Sequence, residues 1–171
     1  MERQRNTKPK YMVSKAIKIG VFALLTLCVV GCKQKEWVDW KTQNTIWLEQ
    51  NKNNPDVQVT PSGLQYKVIT AGNPTDARPN ATSTVNVTYT LELINGYVVD
   101  KGENVSFSLS GVIKGFAEGV RMMRGGNQAE YEFYIPYDLG YGSDGSGTEG
   151  YSNFIPPYST LIYRVHLNAI L

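Results

Sequence analysis

The sequence predicts an α+β domain in which an antiparallel sheet carries one short helix on a face. Beyond Thr60, apolar residues recur at every second position in runs of strand length. One stretch breaks that rhythm, with Ile113, Phe116, Val120 and Met123 spaced by three, four and three and followed by Gly125-Gly126. Strand-like runs lie on both sides of this helical stretch, and a single helix within an antiparallel sheet packs on one sheet face.

The chain opens with a basic stretch (Arg3, Arg5, Lys8, Lys10, Lys15, Lys18) and an apolar run from Ile19 to Gly31, the pattern of an export signal. That run is too short to span a bilayer as a stable helix. Val29-Val30-Gly31-Cys32 resembles the lipobox of bacterial lipoproteins, which implies cleavage before Cys32 and a lipid on its thiol. Residues 1–31 are then a signal peptide, and residues 32–59 a membrane-anchored tether containing a helix. Two or more acyl chains attach a protein stably, where a single chain is marginal. Cys28 leaves with the signal, so no disulfide is expected.

Cleavage would also reverse the charge. Of 17 Lys+Arg and 15 Asp+Glu, the first 31 residues hold six basic residues and Glu2, leaving 11 against 14. The basic surplus belongs to the signal, and no nucleic-acid partner is implied.

Between Glu36 and Asn54, Trp37, Trp40, Trp47 and Leu48 share one face of an amphipathic helix, stopped by Asn53-Asn54-Pro55. So short a helix is marginal alone, so its tryptophan face needs a partner: its own domain, a second copy in a homodimer, or the membrane surface. Residues 60–171 suffice for one domain with one core. Its strands are centred on Leu64–Val68, Val85–Leu93, Tyr97–Asp100, Val105–Leu109, Ala129–Ile135 and Thr160–Leu171. Asn95-Gly96 is a hairpin turn, because both residues tolerate positive φ. The irregular stretch Tyr137–Phe154 holds five glycines and three tyrosines, and a loop of that length is usually functional or mobile.

No nucleophile and base stand out. His166 is the only histidine, and strand alternation places it opposite the buried face of Val165 and Leu167. Without histidine clusters or surviving cysteine pairs zinc is not expected, and the spacing of Asp144 and Glu149 does not match an EF-hand loop, so neither metal nor cofactor is expected. What remains is a concentration of Tyr89, Phe107, Ile113, Phe116, Tyr141, Phe154, Ile155 and Tyr163 where strands meet loops. Such residues build a core, and equally a concave apolar site.

The stretches "GLQYKVI", "VNVTYTLELINGYVVD", "VIKGFAEGVRMMRGG", "FYIPYDLGYG" and "IPPYSTLIYRVHL" resemble, in order and spacing, the FKBP-type peptidyl-prolyl isomerases. The resemblance covers residues 63–171 and is nearest to the bacterial branch of macrophage infectivity potentiator proteins. It implies a curved antiparallel sheet wrapped around one short helix, and catalysis of rotation about X-Pro bonds of exported proteins at the bacterial cell envelope. It also implies Phe116 as pocket floor, with Tyr89, Val112, Ile113, Ile155 and Tyr163 as walls. The Ile113 N–H and Tyr141 hydroxyl would bond substrate carbonyls, and Asp100 would sit near the twisting carbonyl carbon.

Departures from the family pattern are specific. Val99 and Val105 occupy substrate-binding positions that are usually or often aromatic, Leu91 replaces a glycine, and the segment after Asp100 is cut to "KGEN". The loop between Gly142 and Ile155 is longer than usual. These leave a second reading, a binding module with an eroded pocket that holds a partner through the Gly-Tyr loop and the tryptophan helix. A third is a structural envelope role. Under the first reading, Pro156-Pro157 stiffens the pocket rim, because proline biases the residue before it, Ile155, toward an extended conformation.

Overall fold

The computed structural model describes residues 37–171. The signal segment, Cys32 and Glu36 lie outside the described residues. Six antiparallel strands form one sheet: β1 (Val57–Val59), β2 (Gln65–Thr70), β3 (Thr84–Glu92), β4 (Val98–Ser108), β5 (Glu130–Ile135) and β6 (Leu161–Ile170). Their order across the sheet is β1-β2-β5-β6-β3-β4. Helix α1 covers residues 37–51, and α2 spans Lys114–Met122.

Strand β3 pairs with β6, so that Val87, Tyr89 and Leu91 stand opposite Leu167, Val165 and Tyr163. Alternation sends these side chains to one face, and α2 covers that face with buried Phe116 and Val120. The helix lies close to β5 because Gly115 and Gly119 face it. A Cβ on Gly119 would stand 2.7 Å from the Phe133 ring, closer than atoms normally approach. Ile113 caps the helix with φ −59° and ψ 148°, and Met123 is already extended, so the helix ends ahead of Gly125-Gly126.

Two elements differ from the sequence expectation. The expected strands Tyr97–Asp100 and Val105–Leu109 are one long strand, β4, that slips register twice against β3. Val98 and Asp100 pair with Glu92 and Leu91, leaving Val99 as an extra residue; a second extra residue falls between Gly102 and Val105. There Asn104 takes φ 54°, with its N–H on Thr88 Oγ1 (3.3 Å) and its Oδ1 accepting from Asn168 Nδ2 (3.1 Å). Strand β1 was not anticipated. It turns into β2 through Gly63 at φ +93°, and so the sheet begins at Val57.

The tryptophan face of α1 docks on its own domain, on the sheet face opposite α2. Phe133 points to α2 and the next residue, Tyr134, meets Trp47 with ring centroids 5.6 Å apart. Gln65 Nε2 donates to Leu48 O (2.9 Å) and its Oε1 accepts from Asn51 (3.0 Å). The homodimer considered from the sequence would need another surface of α1. His166, on that same sheet face, is half-buried and bonded to Asn127 Oδ1 at 3.0 Å.

Candidate functional site

A cavity of about 320 Å³ opens where β3, β4 and β6 meet the start of α2. Phe116, fixed in the first turn of α2, is 3% exposed and forms its floor. Four rings close on one another around it. Phe116 meets Tyr163 at 5.1 Å and Phe107 at 6.0 Å; Tyr89 meets Phe107 at 5.7 Å and Tyr163 at 5.9 Å. Three of these contacts are edge-on, which suits the ring quadrupoles and holds the rings apart as walls. Gly111, Val112 and Ile113, leading into α2, complete one side.

The polar groups sit on the lining. Asp100 Oδ2 accepts the Tyr89 hydroxyl at 2.7 Å, and Asp100 Oδ1 accepts the Lys101 N–H at 2.8 Å. Among the described residues Asp100 forms no ion pair. Burial pushes the Tyr89 hydroxyl well above the ordinary tyrosine pKa, and the hydrogen bond to Asp100 adds to it. Burial likewise raises Tyr141 and Tyr163, with the Asp100 charge adding to both. All three hydroxyls therefore keep their protons at neutral pH and serve as donors. Among the described residues no group of three or more His, Cys, Asp or Glu is placed to hold a metal.

Of the residues singled out from the sequence, Tyr89, Asp100, Val112, Ile113, Phe116, Tyr141 and Tyr163 line this cavity. Val99, Val105 and Ile155 do not. Val99 is the bulged residue of β4 and is buried in the core at 8% exposure. Val105 packs beside Gly102 and the Tyr89 ring. Ile155 is 4% exposed and is bridged to Ser146 by two backbone hydrogen bonds of 2.8 and 2.9 Å. Phe107 and Gly111 take their place on the lining. Phe107 was visible as an aromatic two residues beyond Val105, on the same strand face, so the wall keeps an aromatic ring that Val105 alone would have denied it.

An open antiparallel sheet with a helix across one face, and an aromatic cavity at the helix start, is the architecture of the FKBP class. The chain belongs to that family. The profile of the FKBP-type peptidyl-prolyl cis-trans isomerases matches residues 75–168, and that of the domain amino-terminal to them matches residues 31–68. The chain is 39% identical to the Outer membrane protein MIP of Legionella longbeachae over 134 residues, 76% of this chain and 54% of that protein. It is 40% identical to the FKBP-type 22 kDa peptidyl-prolyl cis-trans isomerase of Escherichia coli over 129 residues, 73% of this chain and 58% of that one. The crystal structure of FkpA from Escherichia coli superposes with a TM-score of 0.74 at 29% identity, covering 94% of this chain and 75% of that chain. The chain thus spans about half the length of the curated relatives it matches.

Proposed function

We propose that the protein is a peptidyl-prolyl cis-trans isomerase acting on proline-containing exported proteins at the bacterial cell envelope. The observation that carries this reading is the four-ring cavity with Asp100 and Tyr141 on its lining. Rotation about an X-Pro bond meets a barrier of about 18–20 kcal/mol and takes tens of seconds uncatalysed. At the top of the barrier the amide is twisted and has lost resonance. Its nitrogen becomes more basic and its carbonyl carbon more electrophilic.

No proton transfer or covalent bond is required. The rings of Phe116, Tyr163, Phe107 and Tyr89 enclose the proline ring. The Tyr141 hydroxyl and the Ile113 N–H bond substrate carbonyls on either side, holding the chain while the amide turns. Asp100, fixed by Tyr89, places negative charge beside the carbonyl carbon and favours the twisted form. Each tenfold in rate needs only about 1.4 kcal/mol of preference for that form over the planar one. Exchange spectroscopy on an X-Pro peptide tests the reading: the full chain in micelles speeds cis/trans exchange, and an unchanged exchange rate refutes it.

We further propose that Cys32 carries the lipid that holds the protein to the envelope. The sequence Val29-Val30-Gly31-Cys32 supports this, as does the similarity to the Outer membrane protein MIP of Legionella longbeachae. Among the described residues, no helix is long and apolar enough to cross a membrane. Cys32→Ala then moves the protein from the membrane to the soluble fraction and abolishes labelling by a radioactive fatty acid; persistent labelling of the variant contradicts the assignment.

A further inference from the structure

The segment between β5 and β6 supplies Tyr141 to the cavity, and α1 grips that segment from outside. Three consecutive residues ahead of β6 each meet α1. Lys41 Nζ lies 4.6 Å from the centroid of the Tyr158 ring and 5.6 Å from that of Tyr137, and those two rings meet edge-on at 5.3 Å. Trp40 Nε1 donates to Ser159 Oγ at 3.0 Å, and that hydroxyl donates onward to Pro156 O at 2.7 Å. The buried Asn44 Oδ1 accepts the Thr160 N–H at 2.7 Å.

Tyr158 is the informative member. Its φ is 63°, a left-handed conformation that bulky residues rarely adopt and that persists only where surrounding contacts impose it. In that conformation its N–H donates to Gly142 O at 3.0 Å, while the Gly142 N–H donates to Tyr137 O at 2.7 Å. Gly142 follows Tyr141 directly. A chain of contacts therefore runs from the Lys41 ammonium through the Tyr158 ring and backbone to the peptide unit next to Tyr141.

We propose that α1 is a positioning element of the catalytic pocket, with Lys41 and Trp40 holding residues 158–159 so that Tyr141 is presented to substrate. The catalytic consequence rests on the isomerase reading above. The positioning itself does not, and amide exchange reads it separately.

In the full chain, Lys41→Gln removes the cation and is expected to lower kcat/KM for an X-Pro peptide about two- to fivefold. It should also speed hydrogen exchange at the Tyr158 amide, with amides of β3 and β6 and the unfolding midpoint unchanged. Lys41→Arg, which keeps a cation over the rings, should restore both. Trp40→Phe keeps the ring and deletes the bond to Ser159, and should act in the same direction. Parental exchange at Tyr158 in Lys41→Gln, faster exchange with unchanged kcat/KM, or an Arg variant as impaired as Gln would each overturn the proposal. A parent without isomerisation would remove the isomerase reading, while the exchange result would still decide whether α1 holds the segment.

Discussion

Tyr89 and Asp100, from neighbouring strands, are joined by a 2.7 Å hydrogen bond on the lining of the cavity. The bond does two things: it aims the carboxylate, and it keeps the tyrosine proton in place. Register makes it possible. The bulge at Val99 lets Asp100 pair with Leu91 and point to the same face as Tyr89.

Because the two residues act together, their substitutions should not add. Asp100→Ala and Tyr89→Phe are each expected to lower kcat/KM about tenfold, the cost of one hydrogen bond to a charged group. The double variant should fall only slightly below the worse single variant. Simple multiplication of the two losses would show that Tyr89 serves as a wall alone.

Tyr141 is 37% exposed and is expected to contribute to substrate binding far more than to the core. Tyr141→Phe should lower kcat/KM about two- to tenfold, the worth of one neutral hydrogen bond. Its urea unfolding midpoint should stay within experimental error of the parent. A large loss of stability would assign Tyr141 to the core.

Gly102 stands where a Cβ would lie 2.8 Å from the Tyr89 ring and 2.6 Å from Val105. Gly102→Ala should therefore displace the Tyr89 ring, cost about 1–3 kcal/mol of stability by overpacking, and reduce activity. Denaturant unfolding and peptide exchange on the same sample check both. Parental stability and activity together would mean that the strand yields freely at this point.

Alkaline pH should weaken the fold. Burial, with Glu132 adding to it, pushes the Tyr134 hydroxyl up to about 12, and burial raises Tyr89, Tyr131, Tyr141 and Tyr163 as well. A raised folded pKa means that the native state holds its proton more tightly than the unfolded chain. The resulting stability is fully present below about pH 10, and it is lost as pH climbs through the folded values. Stability measured by denaturant at successive pH should be insensitive to these groups near neutrality and fall above about pH 10. A stability that rises across that range would contradict the shifts.

Much of this was legible in the chain because burial on one face leaves a period. The runs at Val85–Leu93 and Thr160–Leu171, and the single helical stretch at Ile113–Met123, appear in the structure within a residue or two as β3, β6 and α2. Period fails where the backbone inserts a residue. The two bulges of β4 split its alternation, so it read as two strands and Val105 was given the wall position that Phe107 holds. Three residues are too few for β1 to show any period. The tryptophan spacing told that α1 had an apolar face, and amphipathicity alone names no partner for it.

Gly115 and Gly119 never approach the cavity, yet their missing side chains set how near α2 lies to Ile135 and Phe133. Phe116 sits between them in sequence and meets Phe107 and Tyr163 in the floor. The room available to a proline ring is therefore dimensioned at the seam between α2 and β5, and lineages could retune which substrates fit by changing residues that no substrate ever meets.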